Sequence, residues 1–75
     1  DFRGAEARVV IPFGGAKRGM IKVQAKGRLM ELEAVAFDED DEEVVFDFDQ
    51  ECFVLDVEDG VARVVTAASV HGEEP

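Results

Sequence analysis

Two short turns constrain the fold most strongly, because each lies between runs in which apolar and polar residues alternate. Asp59-Gly60 separates "FVLDVE" from "VARVV", and Lys26-Gly27 separates "MIKVQA" from "RLMELEAVAF". Two-residue turns with glycine join antiparallel strands, and a period of two marks a strand with one buried face. The sequence therefore predicts two β-hairpins.

The first hairpin has a register that can be read directly from its turn. Pairing outward from Lys26-Gly27 sets apolar residues opposite each other on the inner face and opposite charges on the outer face. The pairs are Val23 with Met30, Ile21 with Leu32, and Lys22 with Glu31. Such pairs stabilise a sheet, so this register supports the hairpin.

The second hairpin follows the same logic around Asp59-Gly60. Its outer face pairs Asp56 with Arg63, the only basic residue after position 36. The residues that alternate with Asp56 and Arg63 lie on the inner face and are predicted to form the core. They are Phe53, Leu55, Val57, Ala62 and Val64.

One further strand precedes the hairpins, and a long acidic connection separates them. In "GAEARVVIPF" the alternating inner set is Ala5, Ala7, Val9, Ile11 and Phe13. Pro12 lacks an N–H group, so the strand ends there or lies at an edge, and "FGGAKRG" follows as a loop.

Short strands leave edges that a closed barrel removes. We therefore predict an all-β, five-stranded OB-like Greek-key barrel over residues 1–70, with a disordered tail at 71–75. An SH3-like barrel is the structural alternative.

Charge is distributed unevenly along the 75 residues, which carry a net charge of −10. Residues 1–36 hold seven basic and four acidic residues, whereas residues 37–75 hold one basic and fourteen acidic residues. The acidic half repels nucleic acids and anionic membrane surfaces, so it favours solubility or a basic partner. No run of about 18 apolar residues that could span a membrane is present in the sequence.

The acidic stretch "FDEDDEEVVFDFD" at 37–49 raises the question of a metal site. A calcium loop of the EF-hand type needs glycine at its sixth position, where this chain has Glu43. We therefore predict a solvated acidic loop with at most weak binding of divalent cations. In "VVFDFD", Val44, Phe46 and Phe48 share one side and are predicted to seal one end of the barrel.

Catalytic motifs are absent from the sequence, so no catalytic, cofactor or metal residue is predicted. His71 is alone in the tail, and Cys52 is expected to be a plain buried or half-buried thiol in an apolar strand. A single cysteine also favours a reducing compartment.

The predicted partner-binding residues lie on two loops of opposite charge: Lys17 and Arg18 on one, and Asp38, Asp40, Asp41 and Glu42 on the other.

Two segments, "GAEARVVIPFGGAKRGMIKVQAKGRLMELEAVAFD" at 4–38 and "FVLDVEDGVARVV" at 53–65, together resemble the soluble C-terminal domain of NfeD-like membrane proteins. The resemblance implies an OB-like barrel attached to transmembrane helices, and association with stomatin- or flotillin-type membrane proteins. It carries no catalytic residue over to this chain. One departure is "FDFDQE", which stands where the family has a short turn with glycine before its fourth strand.

Together these observations predict a non-enzymatic interaction module that assembles or regulates a membrane complex, or that associates with itself. The start at Asp1 suggests a piece of a longer chain, whose membrane anchor would leave this domain on the cytoplasmic side. The alternative is an OB domain that binds single-stranded nucleic acid. Basic residues are present near the second and third predicted strands, but the chain has no Trp or Tyr for stacking bases.

Overall fold

The computed structural model describes residues 2–15, 17–37 and 45–66. Every regular element in these residues is a β-strand. The strands are β1 (Glu6–Ile11), β2 (Phe13–Gly14), β3 (Gly19–Ala25), β4 (Arg28–Ala36), β5 (Val45–Phe46), β6 (Glu51–Glu58) and β7 (Val61–Thr66). The predicted tail at 71–75, His71 and the acidic tip at 38–43 lie outside the described residues.

Five of the strands close into a barrel in the order β1-β3-β4-β7-β6, with β6 returning to β1. Every barrel pair is antiparallel except β4 with β7, which is parallel. This parallel pair forms because β7, the second strand of the second hairpin, lies beside the C-terminal half of β4, the second strand of the first hairpin. This topology confirms the predicted five-stranded OB-like barrel.

The first hairpin has the predicted register along its whole length. Ala25 pairs with Arg28, Lys22 with Glu31, and Ile21 with Leu32. Both turn residues have positive φ, 55° at Lys26 and 77° at Gly27. A turn with two positive φ values matches the twist of the flanking strands, which is why this short turn fixes the register.

The second hairpin departs from the predicted register beyond Asp56. Asp56 pairs with Arg63 as predicted, but the register then shifts, and Val54 rather than Leu55 pairs with Val64. Leu55 is the extra residue of a β-bulge, and a one-residue insertion exchanges the two faces of a strand. Val54 and Cys52 are therefore buried, while the predicted core residue Leu55 is 39% exposed.

The predicted inner set of β1 is also wrong beyond a β-bulge. Ala7 and Val9 are buried as predicted, but the register of β1 against β3 shifts between Val9 and Ile11. The predicted core residue Ile11 therefore points outward and is exposed. The strand ends at Ile11, directly before Pro12, as predicted.

A two-stranded lid covers the end of the barrel at which β1 ends and β6 begins. Phe13 of β2 pairs with Phe46 of β5, and their buried rings stack with centroids 4.6 Å apart. The prediction of a loop was thus wrong for Phe13–Gly14, whereas the prediction that Phe46 seals the barrel is confirmed. Phe48 was predicted to join it but is 70% exposed.

The reason for the exposure of Phe48 is a tight turn directly after β5. The backbone N–H of Asp47 donates to the side-chain oxygen of Gln50 at 3.0 Å, and the N–H of Gln50 donates to the Asp47 carbonyl at 3.1 Å. Asp49 has a φ of 66°. The alternating strand therefore stops at Phe46.

The buried core is entirely apolar in the part of the chain that the structure describes. Its members come from both sheets and all seven strands: Ala7, Val9, Phe13, Ile21, Val23, Ala34, Ala36, Phe46, Cys52, Val54, Ala62 and Val64. At the barrel end opposite the lid, Met30 and Val57 face buried partners but are 39% and 38% exposed. The prediction that Val57 is a core residue was therefore wrong, because it lies at the rim; Met30 also lies at the rim, with its predicted inward pairing to Val23 confirmed.

Candidate partner-binding surface

The outer faces of β1, β3 and β4 form one surface, here called the outer sheet face. Cross-strand pairing places Arg8 beside Lys22 at its centre. Glu51 is paired with Arg8 on one side, and Glu31 is paired with Lys22 on the other. Two cations that would repel each other across neighbouring strands are thus each flanked by a carboxylate.

An open groove of about 610 Å³ runs over this face. Its lining combines charged, amide and apolar groups: Glu6, Ala7, Arg8, Lys22, Gln24, Leu29 and Asp49. The Arg8 guanidinium donates a hydrogen bond of 2.9 Å to the backbone carbonyl of Asp49, which fixes the cation at one wall. In OB folds, the corresponding sheet face is the usual ligand surface.

Two carboxylates meet at the edge of the groove where β1 pairs with β6. A side-chain hydrogen bond that protonated Glu6 donates to Glu51, together with the negative charge of Glu51, raises the pKa of Glu6 above its usual value. Two acidic groups this close favour a shared proton. Glu6 therefore binds a proton more readily than an isolated surface carboxylate does.

The predicted basic loop borders the outer sheet face. Lys17 is exposed, and its backbone N–H donates to the Gly14 carbonyl at 2.8 Å. Arg18 makes an ion pair of 3.2 Å with Glu33 of β4, with both side chains largely in solvent. The charge of Arg18 is therefore partly balanced within the domain, which the sequence-based prediction did not include. Asp38, Asp40, Asp41 and Glu42 lie outside the described residues, so the partner-binding role of both loops stays a prediction.

Three further groups have a structural setting: Asp56 and Arg63 bind each other, and Cys52 is buried. Asp56 and Arg63 form two hydrogen bonds of 2.7 and 2.6 Å, and the guanidinium lowers the pKa of the Asp56 carboxyl. Arg63 also lies 5.2 Å from the centre of the Phe37 ring. Cys52 is fully buried as predicted, and burial followed by the charge of Glu51 raises its pKa to about 11.

Two types of site do not occur among the described residues. No group of three or more His, Cys, Asp or Glu side chains in the ranges 2–15, 17–37 and 45–66 could hold a metal ion. None of the residues that line the groove is aromatic, so no side chain there offers a stacking platform for a base.

The groove itself was not predicted, although its signal was present in the sequence. The hairpin register already set Lys22 against Glu31, and adding Arg8 required only the pairing of β1 with β3. β1 and β3 are separated by the β2 segment and its loop, so no local sequence pattern predicts that they pair. The predicted basic loop was found by composition alone and proved to be the border of the surface rather than its centre.

Comparisons with known proteins rest on structure alone, because no family model and no curated protein matches this chain. The soluble domain of the NfeD protein YuaF from Bacillus subtilis is 22% identical, with a TM-score of 0.74 over 89% of this chain and 75% of its own. The soluble domain of a membrane protein implicated in regulation of membrane protease activity, from Corynebacterium glutamicum, is 23% identical. Its TM-score is 0.64, over 87% of this chain and 90% of its own.

These similarities establish the fold at low sequence identity. The first structure is a soluble domain of an NfeD protein and the second is a soluble domain of a membrane protein, and both share the fold of this chain. In the described part of this chain, no helix is long and apolar enough to cross a membrane.

Proposed function

We propose that this domain is the soluble part of an NfeD-like membrane protein and acts as a non-enzymatic interaction module. The observation that carries the proposal is the structural likeness to a soluble NfeD domain over 89% of the chain. The sequence resemblance over 4–38 and 53–65 supports the same family independently of the structure.

The partner in this proposal is a stomatin- or flotillin-type membrane protein, and the work is the assembly or regulation of a membrane complex. The likeness to a soluble domain of a protein implicated in regulating membrane protease activity supports a regulatory role. The buried, unpaired Cys52 supports a reducing compartment, and hence the cytoplasmic side of the membrane.

Charge provides the means of recognition in this proposal. Lys17 and Arg18 border the outer sheet face, and the sequence places Asp38, Asp40, Asp41 and Glu42 on a separate connection. A surface with separated charges attracts a complementary partner, or a second copy, and such attraction weakens as salt rises.

Nucleic-acid binding is disfavoured by the outer sheet face. Arg8 and Lys22 are each paired with a carboxylate, and the lining of the groove offers no aromatic ring. Binding to single strands depends on a continuous basic groove and on stacking, and neither is found there.

The test is a titration of the domain with the soluble region of a stomatin-type protein at low and high salt. We expect binding that weakens at high salt, and a loss of about tenfold when Lys17→Glu and Arg18→Glu are combined. The control combines Lys17→Arg with Arg18→Lys, which keeps both charges and should keep the affinity.

Two results would contradict the proposal. One is the absence of any binding to stomatin- and flotillin-type proteins. The other is micromolar binding of single-stranded oligonucleotides in a fluorescence anisotropy titration, which would favour the nucleic-acid alternative instead.

A further inference from the structure

Strand β4 has an open edge at the barrel end opposite the lid. On one side β4 pairs with β3 from Arg28 to Ala34, but on the other side it pairs with β7 only from Glu33 to Ala36. Along Arg28–Leu32, no strand among the described residues occupies the second side. Five residues of strand give an edge about 17 Å long.

The direction of the free backbone groups follows from the turn. In a hairpin closed by a two-residue turn, the flanking residues Ala25 and Arg28 form a hydrogen-bonded pair, and such pairs recur at every second residue. The residues between them, Leu29 and Glu31, therefore direct their N–H and C=O groups away from β3. The open edge offers two donors and two acceptors in line.

The side chains along this edge are unusually apolar for an unpaired strand. Leu29 is 66% exposed on the outer face, and Met30, on the inner face at the barrel rim, is 39% exposed, whereas Leu32 is half-buried against the core. Proteins normally protect such edges with charges, prolines or bulges. Here three of the five edge residues, Leu29, Met30 and Leu32, are apolar, and only Arg28 and Glu31 are charged, so the edge is only partly protected against pairing.

Acidic groups surround the apolar centre. Glu31 lies on the edge itself. Glu58 at the end of β6 and Asp59 in the following turn are both exposed, close to Val61, where pairing along β4 stops. Arg28 is the single cation on the edge. A second copy of the chain would bring the same acids against these, so an edge-to-edge homodimer is disfavoured electrostatically.

We propose that the open edge of β4 binds an extended segment of a partner protein as an added β-strand. The segment has apolar residues on the face that meets Met30 and Leu32, and a lysine or arginine on the face that meets Glu31. Backbone hydrogen bonds to Leu29 and Glu31 supply the attachment, and the alternating side chains supply the selectivity. This inference rests on the proposed function only in taking the ligand to be a protein.

The test uses amide hydrogen exchange of the ¹⁵N-labelled domain, with a seven-residue peptide of alternating valine and lysine as the probe. We expect exchange at the N–H groups of Leu29 and Glu31 to slow about tenfold when the peptide is present. The N–H groups of Arg28 and Met30, already bonded to β3, serve as internal controls and should change little.

Two comparisons separate strand addition from charge attraction. The same peptide with alternate backbone nitrogens methylated keeps every charge but cannot pair, so it should give no protection. Leu29→Lys should abolish protection, whereas Val45→Lys makes the same change at an exposed valine in the lid and should not.

Equal effects from the two peptides, protection confined to other residues, or no protection at all would each overturn the open-edge proposal. The proposed function is judged separately, by binding to the stomatin-type protein. If that binding survives while the edge stays unprotected, the partner docks elsewhere on the domain.

Discussion

The two ends of the barrel are built differently, although the same strands form both. At the lid end, Phe13 and Phe46 stack over the core, and Gly19 lets the backbones approach closely. At the opposite end, Met30 and Val57 remain more than a third exposed. The lid end is packed for stability, whereas the open end keeps apolar and backbone groups available for contact.

The largest effect should come from removing the lid ring, with Phe46→Ala. Truncating a fully buried phenylalanine leaves a cavity and should lower the free energy of unfolding by about 4 kcal/mol, measured by urea denaturation. Phe48→Ala, two residues away and exposed, should change it by less than about 0.5 kcal/mol. Equal losses of unfolding free energy in the two variants would show that the buried ring of Phe46 does not stabilise the lid end.

Gly19→Ala tests the close backbone approach beneath the lid. An added Cβ would overlap the carbonyl oxygen of Ile11 and lie 2.7 Å from Cδ1 of Phe13, so we expect a loss of about 2 kcal/mol. Gly27→Ala, in open space at the other end, meets only the strain of a φ of 77° and should cost about 1 kcal/mol. A smaller loss at Gly19 than at Gly27 would contradict the contrast between the ends.

Cys52 reports on how well the lid half of the barrel excludes solvent. Its neighbours across the sheet are Ala7 and Thr66, and its thiol has a pKa of about 11 against an ordinary 9.0. At pH 8 the thiolate fraction is then about a hundredfold lower, and alkylation by iodoacetamide should be slower by at least that factor. Labelling as fast as that of free cysteine, without denaturant, would mean that this end opens readily.

The smallest effects concern two surface carboxylates with opposite responses to pH. Arg63 lowers the pKa of Asp56, so this pair stabilises the fold above the ordinary carboxyl pKa and ceases to do so as pH falls through the lowered value. Asp56→Asn should therefore destabilise the domain at pH 7, and the difference from wild type should vanish in strong acid.

Replacing Glu6 should change the stability at pH 7 in the opposite direction to replacing Asp56. Glu51 raises its pKa, so the folded state binds this proton more tightly, and the repulsion disappears as pH falls through the raised value. Glu6→Gln should therefore slightly stabilise the domain at pH 7, with a difference that shrinks on acidification. Thermal unfolding over a pH series measures both variants, and shifts of the same sign would contradict the assignment.

The first hairpin could be predicted in full because charges and glycine marked both its faces and its turn. Lys22 opposite Glu31 fixed the outer face, and Lys26-Gly27 fixed the register. The same reasoning correctly paired Asp56 with Arg63. In both hairpins, an opposite-charge pair on the outer face marked the solvent side, and there the sequence was sufficient.

The two errors of strand register fall where consecutive residues are all apolar. Val9-Val10-Ile11 and Phe53-Val54-Leu55 contain no polar residue that would identify the outer face, so either register satisfies the pattern. A bulge lies in each of these runs. The lid and the outer sheet face also depend on pairing between distant segments, and local alternation carries no information about that.

Closure of the barrel joins residues that are far apart in the chain. The hairpins connect neighbours through two-residue turns and can form within microseconds. The pairing of β1 with β6 instead brings Ala7 next to Cys52, about 45 positions away in the chain. The chain between them loses conformational entropy before the contacts between these two strands can form and offset that loss. We therefore expect the hairpins to form early and the pairing of β1 with β6 to limit the folding rate, so substitutions along this strand pair should slow refolding.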